Sequence, residues 1–244
     1  MTFFQKKSIF LVILLAAEAL SGCAARIDGV IREGGAANLR VSTSIGPRTA
    51  ALIRSFMSFM SENEQAPILD GAAISRSMAA APGIGQVSLK NTGPAALEGN
   101  ISLRNVGDFL ALNSSSGAGS RFITYTEGRA AGSSSIIITL ERNSAPALIS
   151  MLSPEVEEYL SALMAPAVLG ETSTRQEYLG LLASFYGRPL SDEIAAARIK
   201  VLMEFPRPVT AVKGGTAAGK QAEFDIPLTE ILVLEKPLRY EISW

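Results

Sequence analysis

Gln86-Val87-Ser88-Leu89-Lys90-Asn91-Thr92-Gly93-Pro94-Ala95-Ala96-Leu97-Glu98-Gly99-Asn100-Ile101-Ser102-Leu103-Arg104-Asn105 is the stretch on which the reading of the fold turns. Val87 and Leu89 alternate with polar residues, and so do Ile101 and Leu103, which is the period of a strand with one buried face. Thr92-Gly93-Pro94 between them is turn chemistry. The two runs therefore read as neighbouring antiparallel strands.

Upstream, Leu39, Val41, Thr43 and Ile45 alternate in the same way and predict another half-buried strand. Residues 24–38 read as a polar lead-in with strand character at Ile27 to Ile31. Gly46-Pro47 breaks the strand and opens a helix whose Leu52, Ile53, Phe56, Phe59 and Met60 share one apolar face, read as core. Asp70 is a good N-cap for a second helix, carrying Ile74 and Met78 and ending at Pro82-Gly83.

Downstream, Asn113 to Ser120 is a Ser/Gly-rich surface connection, where two lobes of the body would meet. A hairpin follows, Arg121 to Thr126 and Ser135 to Glu141; Ile136-Ile137-Ile138 lacks alternation, as in a strand covered on both faces. Residues 146–187 read as helical. Ser153-Pro154-Glu155 opens one helix, which continues through Tyr159 to Met164. The next follows Thr172 or Ser173, has Tyr178, Leu181, Leu182 and Phe185 as its stripe, and stops at Gly187. A turn of helix after Ser191 leads into strands at Ile199 to Phe205, Val209 to Val212, Ala222 to Leu228 and Leu238 to Trp244. Tyr240, Ile242 and Trp244 fall on one face of the last, so the C-terminus is expected to be docked. Strands, helices, strands, helices and strands in that order predict an α+β fold, with mainly antiparallel sheet packed against several amphipathic helices.

Composition excludes chemistry more firmly than it suggests any. The chain has 244 residues, no histidine and a single cysteine, Cys23. Without histidine there is no Ser-His-Asp or Cys-His catalysis and no His-ligated metal; carboxylates, Ser/Lys and Tyr are what remain. Gly214 to Lys220 (Gly-Gly-Thr-Ala-Ala-Gly-Lys) approaches a phosphate-binding loop. The next residue is Gln221 rather than Ser or Thr, and Ala222, Phe224, Ile226 and Leu228 then alternate as a strand. A phosphate cradle needs a helix there, so a hairpin loop is expected and no nucleotide. Gly-x-Ser-x-Gly and Ser-x-x-Lys are absent. Glu155, Glu157 and Glu158 read as a solvated first helical turn, and Ser114 to Ser116 as linker. The expectation is no enzyme, no cofactor and no metal site.

The N-terminus is more specific. Lys6 and Lys7 precede an apolar run, Ser8 to Ala17, that is about half the ~20 residues a spanning helix needs. It fits the apolar core of a secretory signal. Leu20-Ser21-Gly22-Cys23 resembles the lipobox of bacterial lipoproteins. That resemblance implies cleavage between Gly22 and Cys23 and a diacylglycerol on the Cys23 sulfur, with residues 1–22 as signal and 23–244 as mature body. Loss of Lys6, Lys7 and Glu18 leaves 20 basic and 22 acidic side chains, a net charge of −2. So balanced a surface has no electrostatic case for nucleic acid.

With the strand pairs Gln86 to Lys90 and Leu97 to Leu103 and the ending Tyr240-Glu241-Ile242-Ser243-Trp244, the chain resembles envelope lipoproteins of spirochaetes and other bacteria. It is also similar to the LPPM lipoprotein domain, a resemblance that implies lipid binding. No site residue is carried over from either. The expected protein is lipid-anchored to a bacterial membrane, at its periplasmic or outer-membrane face, with a non-catalytic, partner-binding or envelope-assembly role. The alternative is a carrier of lipid or another hydrophobic ligand, with the helices of 47–62 and 146–187 roofing a curved sheet over an apolar cavity.

Overall fold

In the computed structural model, the hairpin of residues 84–103 sits at one edge of a seven-stranded sheet. The structure describes residues 24–60, 67–113, 123–130, 132–144, 164 and 171–244. The expected signal with Gly22 and Cys23, the connection at 114–120 and the helix opening at Ser153 lie outside the described residues.

The strands of the larger sheet are β1 (Ala24–Ile31), β2 (Ala37–Ser44), β3 (Ile84–Gly93), β4 (Ala96–Leu103), β7 (Arg198–Glu204), β9 (Thr216–Ala218) and β10 (Gln221–Pro227), ordered β3-β4-β2-β1-β7-β10-β9. Every pair is antiparallel except β1 with β7. The smaller sheet is β5 (Ile123–Glu127), β6 (Ser134–Leu140), β11 (Leu238–Ser243) and β8 (Ala211–Lys213), all antiparallel. Among the described residues, six α-helices accompany them: α1 (Pro47–Met60), α2 (Gly71–Ala79), α3 (Val106–Asn113), α4 (Arg175–Tyr186), α5 (Arg188–Ala196) and α6 (Leu228–Val233). The fold is α+β with mainly antiparallel sheets, as the alternation predicts.

One face of the larger sheet is apolar. Ile101, Leu39, Met203 and Ala222 fall on one cross-strand row, and Leu89, Val41, Val201 and Phe224 on the next. This face packs with Tyr240, Ile242, Trp244 and Ile136 of the smaller sheet and with Val106, Phe109 and Leu110 of α3. Gly99 on β4 marks a close approach of strands: a Cβ there would lie 1.9 Å from the Ser88 carbonyl oxygen. A second core gathers α4, α5 and α6 around Met164, Leu182, Ile194, Leu232 and Val233 at the Leu140/Leu238 end of the smaller sheet.

The helices α1, α5 and α6 all adjoin one end of the larger sheet. Helix α1 follows the end of β2, α5 precedes the start of β7, and α6 follows the end of β10. Those strand ends, Ser44, Arg198 and Pro227, lie on one row with Ala24, where β1 begins. Glu193 of α5 ties this end together. Its carboxylate accepts from the backbone N–H groups of Arg48 and Thr49 and from Thr49 Oγ1, at 3.0, 2.8 and 2.7 Å. The orphan donors of the first turn of α1 are thus satisfied from another helix. Gly46 leaves the room, because a Cβ there would stand 2.3 Å from the Glu193 carboxyl carbon.

Several boundaries depart from the sequence reading. The lead-in contains β1, a central strand of eight residues. Arg26 and Asp28 face solvent and Gly29 carries no side chain, so β1 lacks a strong apolar signal although it has neighbours on both edges. Helices α3 and α6 and strand β9 were not foreseen. They span only eight, six and three residues, too short to show a period, and packing rather than propensity holds such short helices. Helix α4 is capped by Thr174, with a complete capping box to Glu177, and α5 begins at Arg188 rather than after Ser191, with proline in its first turn. The expected stripe on α4 splits: Tyr178 and Leu182 are buried, but Leu181 and Phe185 are exposed. In α1, Ile53 is buried and Phe56 exposed. Asp70 caps α2 as expected, accepting from Ala72 N and Ala73 N at 2.9 Å.

Candidate functional site

The outer face of the larger sheet is built by the same alternation that builds the core. On the row opposite in parity to Ile101, the residues are Ser88, Asn100, Arg40, Asp28, Leu202 and Glu223. The next row on this face has Gln86, Ser102, Asn38, Val30, Glu204 and Gln221. The sheet is concave here, and these rows, Glu223 apart, line an open groove of about 750 Å³.

The groove has a defined chemistry. Four amides (Asn38, Asn100, Gln86, Gln221) and two hydroxyls (Ser88, Ser102) offer both donors and acceptors. Three pairs of charges on the same face meet along or across strands. Arg26 Nε meets Asp28 at 2.8 Å, Lys90 Nζ meets Glu98 at 3.0 Å, and Arg198 Nε meets Asp225 at 2.6 Å. The hydrogen bond and charge of Lys90 lower the Glu98 carboxyl from its ordinary range, and the hydrogen bond and charge of Asp28 raise the Arg26 guanidinium. These three carboxylates are spread along the sheet, each held by a cation. Arg40 stands on the central row without an ion pair among the described residues, a guanidinium available to an outside acceptor.

A smaller concavity of about 340 Å³ lies beside the β5–β6 loop, between Arg32, Tyr125, Glu127, Arg129 and Trp244. It too is open and lined with polar groups. Among the described residues, no group of three His, Cys, Asp or Glu could hold a metal.

Of the residues singled out from sequence, Gly22 and Cys23 lie outside the described residues, and Ala24 directly after them already belongs to β1. The Gly214 to Lys220 loop runs from β8 in the smaller sheet to β9 in the larger; Gly219-Lys220 then turns β9 back onto β10. A strand follows Lys220 where a phosphate loop needs a helix, so the hairpin expectation holds. The groove residues themselves were not found from sequence. Each reads there as the solvated half of an alternating strand, and only the order β3-β4-β2-β1-β7-β10 collects them.

No family model matches the chain, and no curated protein matches it. Among solved structures, the NMR structure of the folded domain of LppM from Mycobacterium tuberculosis is similar at 10% identity and a TM-score of 0.41, over 91% of this chain and 89% of that one. Likeness at that level decides neither the fold nor the function of this chain.

Proposed function

We propose that the chain is a lipid-anchored, non-catalytic protein of the bacterial envelope, and that its body binds a polar partner in the groove on the outer face of the larger sheet. The observation that carries the binding role is the groove itself: amides, hydroxyls and the unpaired Arg40 on rigid strands, with Asp28 and Asp225 held by Arg26 and Arg198. The lipobox-like Leu20-Ser21-Gly22-Cys23 carries the anchor. The groove lies at residues 28–30 of β1, so it stands roughly 13–20 Å along the strand from Ala24, on the half of the sheet away from the anchor.

The hydrophobic-carrier reading finds less support. The described helices close on a filled core at one end of the sheets instead of roofing a cavity, and both concavities are open, the larger mixing its amides and hydroxyls with Val30 and Leu202.

Two measurements test the proposal. Labelled palmitate should enter the wild-type chain and be lost in Cys23→Ser; undiminished label would refute the anchor. A photo-crosslinking residue placed at Ser88 or Asn100 should yield a discrete adduct in intact cells, abolished by Arg40→Glu. No adduct from either position, or one indifferent to Arg40, would refute the groove as the binding site.

A further inference from the structure

Where the exposed apolar side chains lie is uneven. Among the described residues, five large apolar side chains are exposed: Val30, Phe56, Leu181, Phe185 and Tyr186. Single exposed apolar residues are ordinary, but a cluster is informative. Four of the five are on α1 and α4, in the helical cap, and Val30 is alone near the far end of β1. Leu181 and Phe185 are one helical turn apart on α4, along the exposed edge of the stripe whose Tyr178 and Leu182 are buried. Phe185 is 77% exposed, and its ring centroid lies 6.4 Å from that of Tyr186. Arg188 follows, also exposed, at the start of α5.

The chain path places this cluster at the anchor end of the body. Ala24 pairs with Arg198 and Ser44, so β1 begins where α5 ends and α1 starts. Glu193, in the middle of α5, holds the first turn of α1 at that same end. Gly187, the turn between α4 and α5, precedes Glu193 by six residues, about 9 Å of helix. No linker separates Ala24 from Cys23. If Cys23 is acylated, the larger sheet starts one residue from the bilayer, and the cap at that end cannot stand clear of it.

We infer that the α4–α5 tip, with Leu181, Phe185, Tyr186 and Arg188, rests in the surface of the phospholipid bilayer that holds the anchor. This rests on the reading of Cys23 as the lipidated residue. The chemistry suits an interfacial contact: a leucine and a phenyl ring enter the acyl boundary, the phenol stays at the headgroups and the guanidinium meets phosphate. Helix α4 has 12 residues, too few to span. Two contacts, anchor and tip, fix the tilt of the body, which a single flexible tether does not. The groove at Asn38, Asn100 and Gln221 is then held away from the membrane.

The test uses the full acylated chain in vesicles of phosphatidylethanolamine and phosphatidylglycerol, with and without brominated acyl chains, in two variants, Phe185→Trp and Val30→Trp. The emission of Trp244 is measured on the unaltered chain and subtracted. Brominated lipid should quench the Phe185→Trp emission on the order of twofold, as for a residue in the acyl boundary, and leave Val30→Trp unchanged. Acylated, vesicle-bound protein with both positions equally unquenched would overturn the inference and leave the anchor standing. A Phe185→Trp emission that shifts with protein density but not with bromination would give the patch to a second copy of the chain, and overturn it too. An intact mass without acyl chains on Cys23 would remove the anchor, and the inference with it.

Discussion

The indole of Trp244 lies against the phenyl ring of Phe205, with centroids 4.6 Å apart and planes inclined at 36°. The pair joins the last residue of the chain, beyond β11 in the smaller sheet, to the residue after β7 in the larger. Both are almost wholly buried, and the Trp244 backbone exchanges two hydrogen bonds with Ser134. We predict that Trp244→Ala costs about 3–5 kcal/mol, the range for emptying a buried aromatic site. Deletion of Arg239–Trp244 also removes β11, which links β6 to β8, and is expected to abolish folding. Wild-type tryptophan emission should be blue-shifted, shielded from acrylamide and red-shifted only on cooperative unfolding. Emission like that of free tryptophan would contradict the docking.

Thr229 presents the opposite case, a polar group in the wrong solvent. It is 0% exposed in α6, and its Oγ1 has no hydrogen-bond partner among the described residues. A buried hydroxyl left unsatisfied costs about 1–3 kcal/mol. Valine has the same shape without the hydroxyl, so Thr229→Val should raise stability by roughly 1 kcal/mol in urea titration. A lower midpoint would mean that the hydroxyl is satisfied in solution.

Burial pushes the Tyr178 phenol up from its ordinary value. The folded state therefore keeps the proton at a pH where the unfolded chain, with a phenol near pKa 10, has lost it. Stability from this residue is fully present below about pH 10 and falls as pH rises beyond it. In Tyr178→Phe the alkaline decline of the melting temperature should be shallower than in wild type. Identical declines would show that Tyr178 is not the group responsible.

Glu193 joins two helices distant in sequence, and its removal should show it. Glu193→Ala leaves Arg48 N, Thr49 N and Thr49 Oγ1 without their acceptor. The expected loss is about 1.5–3 kcal/mol, the range for hydrogen bonds to a charged group. Glu193→Gln keeps an acceptor and should recover part of it. Gly46→Ala, which needs the space the carboxylate fills, should destabilise as well. If Glu193→Ala melts with wild type, the link does not support α1.

The alternating stretches were legible because a strand with one wet face writes its period into the side chains. Val87, Leu89, Ile101 and Leu103 could be assigned before any neighbour was known, as could Asp70 as a cap and the docked face of Tyr240, Ile242 and Trp244. Helix α4 was legible as a helix, but its buried half was not. Tyr178, Leu181, Leu182 and Phe185 are equally apolar, and only the position of α5 and α6 determines that the first and third are core and the others surface.

By itself, the sequence determined the α+β class, the strand and helix order over most of the described chain, the exclusion of histidine and disulfide chemistry, and the lipobox-like start. Those follow from local period, turn chemistry and residue inventory, which need no partner to be read. Tertiary structure decided that β1, polar on one side and interrupted by Gly29, is a central strand parallel to β7, because hydrogen bonds from β2 and β7 supply what its own side chains do not. It also decided which solvated faces become a groove and which apolar residues stay outside. Both depend on the order of strands in the sheet and on the packing of helices far apart in sequence, and no local pattern records either.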